Sequence, residues 1–214
     1  MKELTEIVLL LDRSGSMSGL EADTIGGFNG LIEKQKSLPG RALVTAVLFD
    51  HRVEVLYDRL PLEQVKPMTR EDYYVRGSTA LLDAVGSTIT RIRTMQNRLP
   101  ESERPGKTLF VITTDGMENA SVDYSRREVR RLIEAAGTDW EFLFLGANMD
   151  AVEVGGGMGI RPDHAVTYRC DPEGTALNYE VLNDAVCCAR TCSAPLTADW
   201  KARIDENLRQ KTHK

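Results

Sequence analysis

Apolar residues recur along the chain in short, dense runs. Segments 6–11, 43–49, 108–113, 141–145 and 165–169 are rich in Val, Ile, Leu and Phe, and most lack clean alternation. That is the pattern of parallel strands covered on both faces. Segment 53–57 alternates more, and only a few residues separate it from Phe49. So short a link permits a hairpin but not a parallel crossover, which predicts an antiparallel strand at a sheet edge. Between the runs the spacing becomes helical. Ile25, Phe28, Leu31 and Ile32 predict a helix over 24–37, stopped by Pro39 and Gly40. Leu81, Leu82, Val85, Ile89 and Ile92 line one face of 80–95, and Val129, Leu132 and Ile133 one face of 125–136, which Gly137 ends. Two more helices are expected over 175–192 and 197–209, the last introduced by Pro195, Thr197 and Asp199. The glycines at 155, 156, 157 and 159 mark 154–159 as a loop or a short distorted helix.

Strands alternating with helices predict a three-layer, doubly wound α/β fold of Rossmann-like type, its sheet mostly parallel with one antiparallel edge strand. The expected organisation is one domain over 1–194 and a helical extension over 195–214. The length of 214 residues, with 42% hydrophobic and 28% charged, is ordinary for a globular chain that buries a sizeable core. The net charge of -5 is spread along the chain and argues against nucleic acid as the main partner, because phosphate binding needs a concentrated basic surface. Arg126, Arg127, Arg130 and Arg131 form a short basic cluster that reads as a solvated helix face or, in a second reading, as a docking surface. The first apolar run is too short for a signal-peptide core or a membrane span, and no later run approaches about 18 residues. A soluble cytoplasmic protein is the expectation. Cys170, Cys187, Cys188 and Cys192 lie late in the chain. A helical i, i+4 pair such as Cys188 and Cys192 rarely meets disulfide geometry, and the histidines are too scattered to make a zinc set, so reduced, partly buried thiols are expected.

Candidate chemistry changes this picture at one place. The first strand runs into Asp12-Arg13-Ser14-Gly15-Ser16. In open parallel sheets ligands bind beyond the carboxyl ends of strands, near the point where strand order reverses. A carboxylate and two hydroxyls offered there form the oxygen-rich cup that hard cations prefer. Taken alone the motif equally describes a helix cap and turn. Two later segments add to it. Thr79, in Arg76-Gly77-Ser78-Thr79-Ala80, precedes a helix and offers a third hydroxyl, though Ser78 or Thr79 could simply cap that helix. Asp115 ends a second buried strand in Thr114-Asp115-Gly116, where a turn residue is the plainer reading.

The joint set resembles the metal-ion-dependent adhesion site of the von Willebrand factor A (VWA) family. The match covers D-x-S-x-S at Asp12, Ser14 and Ser16, the threonine at Thr79, and T-D-G at Thr114, Asp115 and Gly116, with element order agreeing over roughly 6–192. The resemblance implies one divalent ion, Mg2+ with Mn2+ or Ca2+ as alternatives. Ser14, Ser16 and Thr79 would be hydroxyl ligands, and Asp12 and Asp115 would ligate directly or through water. It also implies a protein partner that offers an Asp or Glu carboxylate, and small bacterial members place such a module in intracellular assemblies. In some members a C-terminal helix shifts on binding, a part open to 175–192. Near the site, Glu118 reads as a rim residue or a solvated loop carboxylate, and Arg13 and Arg76 as anion-steering or idle loop arginines. The alternative function is a Mg2+-dependent phosphatase or hydrolase. Ser14 stands where such an enzyme's second aspartate would be, and His51 is the one base to propose.

Overall fold

The structure is a computed structural model and describes residues 4–191 and 196–212. Cys192 and Pro195, which the sequence reading put at a helix end and a helix start, fall outside them. Strand β1 (Leu4–Asp12) is buried over nearly its whole length. It lies parallel to β2 (Arg41–Phe49) on one side and parallel to β4 (Lys107–Thr114) on the other. Strand β3 (Val53–Pro61) pairs antiparallel to β2 at one edge, as the short link requires. Strands β5 (Trp140–Ala147) and β6 (Ala165–Tyr168) complete the order β3-β2-β1-β4-β5-β6.

Successive residues of β1 feed two separate cores, which is why this strand shows no polar face. Ile7, Leu9 and Leu11 pack with Phe28 and Leu31 of helix α1 (Glu21–Lys36). Val8 and Leu10 pack with Val85 and Ile89 of α2 (Leu81–Arg98) and Val129 of α3 (Arg126–Glu134). Helix α4 (Ala151–Gly157) joins the α2–α3 face through Ala151, and α5 (Pro172–Thr191) joins the α1 face through Leu182 and Val186. The last helix, α6 (Ala202–Thr212), packs on β6 and α5 and buries Ile204 in the α1–α5 core. No helix among the described residues is long and apolar enough to cross a membrane.

Several boundaries differ from the sequence reading, each for a local reason. Helix α1 begins three residues before the expected start at Thr24, because Glu21 and Asp23 favour a first turn. Helix α5 begins at Pro172, whose fixed φ suits a first helical position, with the Asp171 carboxylate accepting from the Gly174 amide at 2.8 Å. The glycine run is the end of α4, which Asp150 caps. Strand β3 continues to Pro61 through a register shift at which Arg59 takes a φ of 48°. Its amide donates to Thr45 Oγ1 at 3.1 Å and its Nε to the buried Glu6 at 2.8 Å.

Candidate metal centre

In the sheet order the chain moves from β1 to β2 on one side and later returns to β4 on the other. The carboxyl ends of β1 and β4 therefore flank the switch point, the cleft where ligands bind in such sheets. Leu11 is level with Thr113, so Asp12 and Asp115 emerge beside each other. The Asp12 carboxylate is wholly buried and accepts twice: from the Ser14 amide at 2.7 Å and from the Thr114 hydroxyl at 2.5 Å. The Ser16 hydroxyl donates to Asp115 at 2.6 Å and lies 3.0 Å from the Ser14 hydroxyl. Ser14, Thr79 and Asp115 are buried, whereas Ser16 is exposed and marks the open side.

Gly116 shows how these groups converge. A β-carbon there would stand 2.5 Å from Thr79 Oγ1 and 3.1 Å from both Ser14 Oγ and Ser16 Oγ. Three hydroxyls from two distant segments thus surround one point beside the Asp115 backbone. The donor set is all oxygen, two carboxylates and three neutral hydroxyls, which suits a hard divalent ion. Burial pushes the Asp12 carboxyl above its ordinary range against the bonds from Thr114 and Ser14, and the nearby Asp115 charge adds to the rise. Burial also raises Asp115, opposed by bonds from Ser16 and Cys170. The five residues named from the sequence are therefore gathered at one place.

The connecting loops are held by polar groups that the motif does not contain. Asn119 accepts from the Thr79 amide at 2.9 Å, and its own amide donates to the Thr79 carbonyl at 3.0 Å. The Tyr73 hydroxyl donates to the Asp12 carbonyl at 2.5 Å. The Cys170 thiol lies 3.5 Å from Asp115, at the margin of the oxygen cup.

No family model matches the sequence, and no curated protein matches it. Solved structures do match. Proximal thread matrix protein 1 from the mussel byssus superposes with a TM-score of 0.61 at 12% identity, over 86% of this chain and 48% of that one. The same protein has been solved with a zinc-occupied MIDAS motif and superposes with a TM-score of 0.58 at 15% identity, over 86% and 46%. A von Willebrand factor type A protein from Catenulispora acidiphila gives 0.55 at 13% identity, over 86% and 42%. This chain has the von Willebrand factor A fold. It spans less than half the length of each of these structures.

Within the VWA fold, three expectations about the site's surroundings need correction. Glu118 is neither a solvated carboxylate nor a rim charge facing partners. Its oxygens accept from the amides of Leu82, Ala120 and Ser121 at 2.8–3.0 Å, so it caps the start of α2 and shapes its own loop. Arg13 is not a loop arginine in solvent. Its side chain is wholly buried against Asp50, with Nε 3.0 Å from Oδ2. Arg76 is two-thirds buried on the same carboxylate, at 2.7 Å. His51 lies 3.0 Å from Asp50, and the β-carbon position of Gly77 falls 2.3 Å from its Nδ1, so it packs as part of that cluster. Asp50, Asn119 and Tyr73 carry no motif. Their only sequence signal is position, at a strand end or in a loop beside the motif residues. Arg126, Arg127, Arg130 and Arg131 are exposed on α3, and Arg130 pairs with Glu134. Cys170 and Cys187 are partly buried free thiols, whereas Cys188 is exposed, contrary to expectation.

Proposed function

We propose that this chain is a divalent-metal-dependent protein-binding module that captures a partner's carboxylate. The observation that carries the reading is the convergence of three hydroxyls on one point beside the ends of β1 and β4, where Asp12 and Asp115 lie buried, open on the Ser16 side. Ser14, Ser16 and Thr79 would hold the ion through neutral oxygens, and Asp12 and Asp115 would supply its countercharge. Burial raises both carboxyls, and a bound cation would favour their charged forms. A bound Mg2+ would supply positive charge and a coordination position for an incoming Asp or Glu. The all-oxygen set suits a hard divalent ion, Mg2+ with Mn2+ or Ca2+ as alternatives.

Binding rather than hydrolysis fits the surroundings. Ser14 stands where an acid–base aspartate would be needed. The working setting is an intracellular assembly, with residues 1–194 as the module and 195–214 as its helical extension.

Calorimetric titration of metal-free protein with Mg2+ and Mn2+ tests the reading. One-site saturable binding is expected. Asp12→Ala should abolish it, and Thr79→Ala should weaken it at least tenfold, the scale of one lost contact of about 1.4 kcal/mol. Well-folded wild type that binds neither ion overturns the proposal.

A further inference from the structure

Thr79 belongs to a stretch without regular secondary structure, residues 65–80, whose conformation the sheet does not impose. A ligand on such a stretch needs anchors, because holding an irregular segment in one conformation costs entropy at every residue. Asn119 anchors Thr79 toward the Asp115 side of the site. On the Asp12 side the anchors meet at Asp50, which lies just past the end of β2.

The Asp50 carboxylate is wholly buried and joins three segments. Oδ2 accepts from Arg13 Nε at 3.0 Å and from Arg76 Nε at 2.7 Å, and Oδ1 accepts from the Arg52 amide at 2.8 Å. The Asp50 carbonyl also accepts from the Ala80 amide at 2.8 Å, directly after Thr79. Around this carboxylate the two ligand loops touch backbone to backbone. The Arg76 amide donates to the Arg13 carbonyl at 2.8 Å, and the Gly15 amide to the Gly77 carbonyl at 3.0 Å. Arg13 lies between Asp12 and Ser14 in the chain. Its side chain turns to Asp50 while its neighbours' side chains meet Thr114 and Ser16.

From these contacts we infer that Asp50 is a positioning residue of the site, holding the Thr79 segment against the Asp12–Ser16 loop through Arg76 and Arg13. This rests on the metal-binding reading above. The cluster is poorly explained as a device for stability alone. Buried ion pairs are often no more stabilising than apolar residues of the same volume. Here Arg13 Nη1 is also buried without a hydrogen-bond partner.

The test is Mn2+ affinity of Asp50→Asn and Arg76→Gln, each alone and combined with Thr79→Ala, with folding checked by circular dichroism. Millimolar Mn2+ followed by paramagnetic resonance keeps weak binding measurable. Asp50→Asn and Arg76→Gln should each weaken Mn2+ binding about tenfold. In the Thr79→Ala background the same changes should cost less than about twofold, because no threonine hydroxyl remains to be positioned. Arg76 is partly exposed, so its variant decides the matter should Asp50→Asn not fold. Wild-type affinity in folded single variants overturns the inference and leaves the metal site standing. An equal tenfold loss in both backgrounds overturns it too, since that marks an effect independent of Thr79. Wild type that binds no Mn2+ removes the metal reading itself, and this inference with it.

Discussion

At Gly116 the absent side chain is what leaves room for the three hydroxyls. A methyl group there would meet Thr79 Oγ1 at 2.5 Å, closer than atoms tolerate, and would crowd both serines. Gly116→Ala should therefore lose Mn2+ affinity at least tenfold while keeping the wild-type far-ultraviolet spectrum. Unchanged affinity in calorimetry would mean that the ion does not sit among these hydroxyls. The five metal-site candidates were legible in the sequence because each stands in a recognisable context, an acid or hydroxyl at a strand end or before a helix. Asp50 and Asn119 were not, because their meaning lies in partners remote along the chain. Asp50 meets Arg13 across 37 residues and Arg76 across 26, and Asn119 meets Thr79 across 40. Arg13 was misread for the same reason, since nothing local announces that its charge is buried.

Among the elements, the strands were readable from apolar runs and the helix bodies from their stripes. The starts of α1 and α5 were hidden because acids and proline, not apolar residues, make a first turn. The far half of β3 was hidden because the turn of Arg59 into positive φ breaks the alternation that defines a strand. A second glycine sets how α1 meets α5. A β-carbon on Gly27 would fall 2.1 Å from the Tyr179 ring, so the ring lies directly on the α1 backbone. Tyr179 is itself buried, which leaves it little room to retreat. Gly27→Ala should destabilise the protein by about 1–3 kcal/mol, the usual scale for overpacking a filled core. A urea denaturation midpoint equal to wild type would show that α5 shifts freely on α1.

For the whole molecule, the raised carboxyls link stability to pH. Asp12 and Asp115 hold their protons to higher pH in the folded chain than in the unfolded one, because burial disfavours their charged forms. The folded state then carries more bound protons as pH rises from the ordinary carboxylate range through the raised values, so metal-free stability falls across that window. Asp12→Asn removes one of these charges and keeps the side chain's shape. It should melt higher than wild type at pH 7 in chelator, and it should gain nothing from added Mg2+. Equal melting temperatures in chelator would show that Asp12 carries no such penalty. A binding site that weakens its own scaffold is a common trade between stability and function.

The two sheet edges have a consequence for how copies of the protein behave in concentrated solution. An exposed strand is a template on which another chain can add, and long flat edges invite aggregation. The β3 edge is bent by the bulge at Arg59, and β6 is only 4 residues long, with its Ala165 carbonyl taken by Lys201 Nζ at 2.6 Å. Among the described residues, the β3 ladder is interrupted at the bulge and the β6 ladder is short. Both features shorten the seam along which crowded copies could polymerise.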